Sequence, residues 1–234
     1  MAKIDSKLRS DLVRRIGVAL LFGLFLALLF FGFAGRLNWW EAWIFILLFT
    51  GLLIYFGTWT TLNDPEMLAE RNLKAAEKGK GWDQVIVGLH GVAMFGAFIL
   101  ASLDAGRFQW SHVPLWLEAL ALVLMILACT LTLWVTQVNT FLSRTVRVQE
   151  ERGHQVITTG PYRYVRHPMY VGVIVLMTCL PIFLGSWWAL IPGGIDGLLF
   201  IIRTGLEDKT LQAELPGYDE YVQQTRYRLL PGIW

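Results

Sequence analysis

The sequence predicts an all-α fold, a polytopic membrane helical bundle of about six transmembrane helices. Three observations predict it. Of 234 residues, 55% are apolar and only 16% are charged, where a soluble domain carries about a quarter charged residues. The apolar residues form uninterrupted runs, each near the roughly 20 residues a bilayer requires. The basic residues, finally, collect on one side of those runs. A net charge of +2 is too small to imply a nucleic-acid partner. Cys129 and Cys179 both sit inside apolar runs, so neither a disulfide framework nor a zinc site is suggested, and no metal is expected.

The spans fall at about 16–34, 41–61, 84–103, 114–138, 168–185 and 187–204. With that division every lysine and arginine except Arg36 and Arg107 shares one face, and the positive-inside rule makes that face cytoplasmic, with both termini inside. Tryptophans fit the placement: Trp39, Trp40, Trp110, Trp116, Trp187 and Trp188 mark the outer interface and Trp59, Trp82 and Trp134 the inner one. The first run is too long for a signal peptide and lacks a small-x-small cleavage site, so it reads as a retained span.

Spans one and two are rich in Leu, Phe and Trp, a lipid-facing scaffold. Asn63-Asp64-Pro65 then caps a short polar helix, more a connector than a cover. Span three carries His90, whose expected role is a helix–helix hydrogen bond, and Gly88, Gly91 and Gly96 suggest close packing. Span four turns polar at its cytoplasmic end, through Thr132, Thr136, Gln137, Asn139 and Thr140. Spans five and six form a tight hairpin about Gly185-Ser186. Pro181 is expected to kink the first, and Pro192-Gly193-Gly194 to break the second, leaving freed backbone N–H groups for Asp196. Arg203 and Glu207 are four apart on a helix and share a face.

The stretch from His154 to Gly172 carries the densest polar signal. Gly160-Pro161 is a turn, and Pro168 suits the first position of a helix. His167, before that proline, is held out of the helical region at the helix mouth. A helix start offers unpaired N–H groups and a positive dipole end to an anion, with Arg163 and Arg166 beside it.

Three pieces in order carry a family resemblance: His154-Gln155-Val156-Ile157 with Gly160-Pro161-Tyr162, then Arg166-His167-Pro168-x-Tyr170-x-Gly172, then Arg203-x-x-x-Glu207-Asp208 followed by Tyr218-x-x-Tyr221. Over roughly residues 130–234 the chain resembles the isoprenylcysteine carboxyl methyltransferases and the related phospholipid N-methyltransferases. The resemblance implies an S-adenosyl-L-methionine-dependent enzyme with a cytoplasmic-side cofactor pocket formed by the C-terminal half. It implies cofactor contacts at His154, Gln155, Val156, Ile157, Tyr162, His167, Pro168, Met169, Tyr170 and Glu207, and catalytic roles for Arg203 and Glu207. The chain would divide into a three-span scaffold, 1–110, and a methyltransferase core, 111–234, within the cell membrane of a bacterium or archaeon. Two positions depart from the family: Asp208 replaces a usual second glutamate, and Arg147 stands where a glutamine touches cofactor in the eukaryotic enzymes.

The implied chemistry is methyl transfer to a lipid or prenylated small-molecule acceptor. A carboxylate acceptor needs no base and could be gripped by Arg203 through paired hydrogen bonds. An amine acceptor, as in a phospholipid-type N-methyltransferase, needs a base, for which Glu207 or Asp208 is placed. Two further readings are a nicotinamide-dependent sterol-type reductase, which shares the His-Pro-x-Tyr-x-Gly region, and a small transporter or membrane scaffold. The reductases are longer, and a transport path requires polar groups at every depth, whereas here they cluster at one face.

Overall fold

The computed structural model describes residues 6–72 and 79–234, and every regular element among them is helical. Helix α1 spans Ser6–Ala34, α2 Trp40–Asn63, α3 Pro65–Asn72 and α4 Gly81–Ala101, which continues into a π-helical turn at Ser102–Phe108. Helix α5 is Leu115–Val138, α6 Pro168–Phe183, α7 Leu190–Glu214 and α8 Tyr218–Gln224, with short 3-10 turns at Glu150–Arg152 and Gly160–Arg163. Lys3, Lys74 and Lys78 of the basic pattern lie outside the described residues.

Four helical stretches are long and apolar enough to cross a membrane: Leu8–Ala34, Trp40–Asn63, Gly81–Phe108 and Leu115–Val138. The last two expected spans differ. Helix α6 has 16 residues, about 24 Å at 1.5 Å per residue, against a hydrocarbon core of about 30 Å. Helix α7 has 25 residues but carries Asp196, Arg203, Glu207, Asp208 and Lys209 along its length.

One end of the bundle is apolar and tightly packed. Phe30, fully buried, meets Trp39 and Phe45 edge-on at ring-centroid distances of 5.7 and 5.8 Å. Trp39 is buried in this cluster. Within lipid such contacts stabilise through packing and dispersion rather than water exclusion. The same end is closed by Asp104 of the π-turn, also fully buried. It accepts hydrogen bonds from the Ser111 N–H (2.9 Å) and hydroxyl (2.6 Å) and from the Ser186 hydroxyl (2.5 Å). One carboxylate thereby ties the α4–α5 and α6–α7 connections together.

The glycines expected to break α7 do something else. The helix runs through Pro192-Gly193-Gly194 without interruption. A Cβ on Gly193 would lie 2.5 Å from the Met177 carbonyl oxygen, so the missing side chain lets α6 and α7 approach closely. Asp196 consequently finds no freed backbone. It is fully buried and lies with both oxygens 2.9 Å from His90 Nδ1. The helix–helix hydrogen bond expected of His90 is this one, joining α4 to α7.

Candidate functional site

At the end of the bundle that carries the 139–167 loop, the helices diverge around a cavity of ≈ 1140 Å³. Tyr162, His167 and Glu207 all line it. So does every residue singled out for the cofactor except Pro168, which is buried as the first residue of α6. His154, Gln155, Val156 and Ile157 reach it from the loop, Met169 and Tyr170 from the first turn of α6, and Arg203 and Glu207 from α7.

The loop is held by its own polar side chains. Asn139 ends α5, donates to the Tyr162 hydroxyl at 2.7 Å and accepts the Phe141 N–H at 2.9 Å. Fully buried Gln149 donates to the Phe141 carbonyl at 2.6 Å, and its N–H reaches His154 Nδ1 at 3.3 Å. His154 stacks on Phe141, centroids 4.5 Å apart. Burial, then the nearby charges of Arg147 and Arg152, lower the His154 pKa to about 4, so the ring is neutral and accepts at Nδ1. Burial likewise pushes the Tyr162 hydroxyl above its ordinary range, keeping it protonated. Gly160 has φ +58°, and a Cβ there would meet Val138 at 2.9 Å. Only glycine suits that turn.

Asp208 is a structural centre rather than a base. It is fully buried and accepts from Arg166 Nε and Nη2 (2.8 Å each), Arg228 Nε (2.8 Å), the Tyr218 hydroxyl (3.0 Å) and Gln212 (3.0 Å). His167 Nε2 lies 3.2 Å away. Burial alone would raise its pKa, but the hydrogen bonds from His167, Arg166 and Arg228 outweigh burial and hold the carboxyl well below the usual range. A carboxylate so engaged has no lone pair left for an incoming proton. Arg166 is equally committed, since its Nη1 donates to the Thr225 and Arg226 carbonyls at 2.8 Å. Arg163 is exposed and does not line the cavity. Arg166 is therefore not free for an anion, and Arg163 does not reach the cavity. His167 does cap α6 in a non-helical conformation (φ −123°, ψ 59°) and stacks parallel to Tyr170.

Glu207 accepts a hydrogen bond from the Tyr170 hydroxyl and faces the cavity. Arg203, four residues earlier, does not turn to it. Its Nε and Nη2 donate to Asp83 at 2.7 and 3.2 Å, and Nη2 also reaches the Arg144 carbonyl at 3.0 Å. The guanidinium lies 5.2 Å over the Tyr170 ring and 5.6 Å over Phe200, a cation–π arrangement. The fork expected to grip a carboxylate is thus filled by Asp83. The sequence shows Asp83 merely as an acidic residue near the start of a span, and nothing local announces a partner 120 positions away.

The short helix α3 is part of the wall, not a plain connector. Leu68 and Arg71 line the cavity. Glu70 accepts from Arg147 Nε (2.8 Å) and Nη2 (2.5 Å) and from Ser143 (3.3 Å). Arg147, the position that departs from the eukaryotic pattern, therefore pins α3 to the loop.

Polar groups from several helices and a loop around one apolar-walled hollow form a small-molecule site of the kind enzymes use. Residues 106–213 match the model of the isoprenylcysteine carboxyl methyltransferase (ICMT) family. The resemblance to that family is thereby supported, and the enzyme class it points to is that of the membrane methyltransferases. The matched region begins before residue 130 and stops short of Tyr218 and Tyr221. No curated protein matches the chain.

Proposed function

We propose that the protein transfers a methyl group from S-adenosyl-L-methionine to a lipophilic acceptor at the cytoplasmic face of a membrane. The observation that carries this reading is the meeting of Tyr162, His167 and Glu207, each from a different segment, on one cavity. The cavity's aliphatic and aromatic walls, carrying a carboxylate and a neutral imidazole, suit a nucleoside with a charged tail. Val156, Ile157, Tyr162, Met169 and Tyr170 would hold it, with Glu207 facing its cationic or ribose part. When bound, the cofactor supplies an electrophilic methyl on a sulfonium.

The chain's own part is positioning and dryness. Charge is neutralised as such a displacement proceeds, so an apolar, water-poor enclosure and fixed orientation matter more than strong acid–base groups. Tyr170 fixes Glu207 by its hydroxyl and is itself held beneath the Arg203 guanidinium. A carboxylate acceptor remains the first reading, because it needs no base and Asp208 is spent on Arg166 and Arg228. Against it stands the filled fork of Arg203, which leaves only Nη1 without a hydrogen bond among the described residues. The amine acceptor of a phospholipid-type N-methyltransferase is the alternative, with Glu207 the remaining base.

The hairpin of α6 and α7 would complete six crossings. Whether it crosses fully or dips in, both termini stay on one side, which the basic residues make cytoplasmic. Residues 1–110 would then serve as scaffold and 111–234 as the reacting core. Calorimetry of the detergent-purified protein with S-adenosylhomocysteine tests the reading, and an absence of binding rejects it. Membranes incubated with methyl-labelled cofactor, followed by extraction of lipids and small organics, identify the acceptor.

A further inference from the structure

The arginines that line the cavity divide into two sets. Arg14, Arg147, Arg166 and Arg203 are each paired with a carboxylate. Arg15, Arg71 and Arg144 line the same cavity, and none forms an ion pair or side-chain hydrogen bond with any described residue. The Nε of Arg15 is buried without a partner. Leaving such a cationic donor unsatisfied in a fold costs free energy that a bound anion would recover.

The set is built, not scattered. Arg15 and Arg71 both pack on one turn of α2. The Arg71 guanidinium lies 4.9 Å over the Phe56 ring, and Gly57 is bare where a Cβ would meet the Arg15 stem at 3.5 Å. Arg144 approaches from the loop, its carbonyl fixed by Arg203. Burial, with the neighbouring Arg144 charge, lowers the Arg71 pKa to about 10. From Arg15 the cavity wall continues as Val18, Ala19 and Phe22 of α1 and Phe49, Leu52 and Leu53 of α2, with no polar side chain among these six. The volume of ≈ 1140 Å³ also exceeds the roughly 300–1,000 Å³ of an ordinary ligand pocket.

We propose that Arg15, Arg71 and Arg144 bind the oxyanion headgroup, phosphate or carboxylate, of an amphiphile whose hydrocarbon lies along α1 and α2. This deepens the acceptor reading above by giving the lipophilic molecule a fixed negative group beyond the atom that is methylated. The two arginines on α1 and α3 lie outside the region matched by the family.

Equilibrium binding of labelled dodecyl phosphate and of labelled dodecanoate to the protein in nonionic detergent tests it, with dodecanol as the uncharged comparison. At least one anionic chain should bind about tenfold or more tighter than dodecanol, and Arg15→Gln or Arg71→Gln should remove about that factor while Arg71→Lys keeps it. Arg226→Gln, an exposed charge away from the cavity, should change nothing. Equal binding of dodecanol, or an equal loss with Arg226→Gln, overturns the proposal in favour of apolar binding or bulk surface charge. Displacement by inorganic phosphate at matching concentration overturns the amphiphile and leaves a free-anion site. S-Adenosylhomocysteine binding is read separately. Variants that lose both ligands make these arginines structural and overturn the proposal, whereas a wild type that binds only the anionic chain, with the arginine dependence above, upholds it and rejects the cofactor reading.

Discussion

Asp83 and Arg203 hold each other across the bundle, with Asp83 Oδ1 accepting from Nε at 2.7 Å and Oδ2 from Nη2 at 3.2 Å. The pair joins the start of α4 to the middle of α7, and Asp83 Oδ2 also accepts the Val146 N–H of the loop at 2.7 Å. Removing one member leaves an uncompensated charge inside, a loss of about 3–5 kcal/mol. Asp83→Asn should therefore lower the thermal midpoint strongly. The double variant Asp83→Asn with Arg203→Gln should recover part of that loss in a double-mutant cycle. Strict additivity would mean that the two residues do not sense each other.

Glu207 is the cavity carboxylate that is not saturated by arginines, and Tyr170 fixes its position. Glu207→Gln should weaken S-adenosylhomocysteine about tenfold or more, since a hydrogen bond to a charged group is worth about 1.5–3 kcal/mol. Tyr170→Phe should weaken it less while leaving the fold intact. Calorimetry on the purified variants checks both, and unchanged affinity in Glu207→Gln would remove this residue from the cofactor's site.

Two adjacent glycines should behave oppositely. Gly193→Ala forces a methyl to 2.5 Å from the Met177 carbonyl, and backbone cannot step aside cheaply, so a loss of about 1–3 kcal/mol is expected. Gly194 has open space around its Cβ position, and Gly194→Ala should be neutral or stabilising by up to about 1 kcal/mol. Thermal unfolding of the two single variants decides it. Similar midpoints would show that α6 and α7 do not meet at Gly193.

The His154 ring links stability to pH. Its pKa falls from 6.5 in the unfolded chain to about 4 in the folded one through burial and the charges of Arg147 and Arg152. The unfolded state then binds the extra proton first, so this contribution is complete above about pH 6.5 and is lost as pH falls toward 4. A thermal midpoint that declines across that window, and declines less in His154→Phe, is the expected result. An identical pH slope in the variant would clear His154 of the effect.

Much of the bundle was legible from the chain alone because membrane burial imposes its own grammar. Apolar runs of bilayer length located the four long helices, Pro168 marked the start of α6, and His167 kept its place at the helix mouth. The loop motif gathered most of its residues on one cavity because they lie within a short segment that enters a helix. Family likeness, not periodicity, named their chemistry.

Tertiary structure alone decided where each charge was spent. Arg203 looked free to grip a substrate and Asp208 free to act as a base, since sequence spacing shows only neighbours on the same helix. In the folded chain a buried charge takes whichever opposite charge the packing brings within reach, because desolvation makes an unpaired one costly. Asp83, far away in sequence, reached Arg203, and Arg166 and Arg228 converged on Asp208. The same packing turned the Pro-Gly-Gly of α7 from an expected break into a seam between helices, and let Asp196 meet His90.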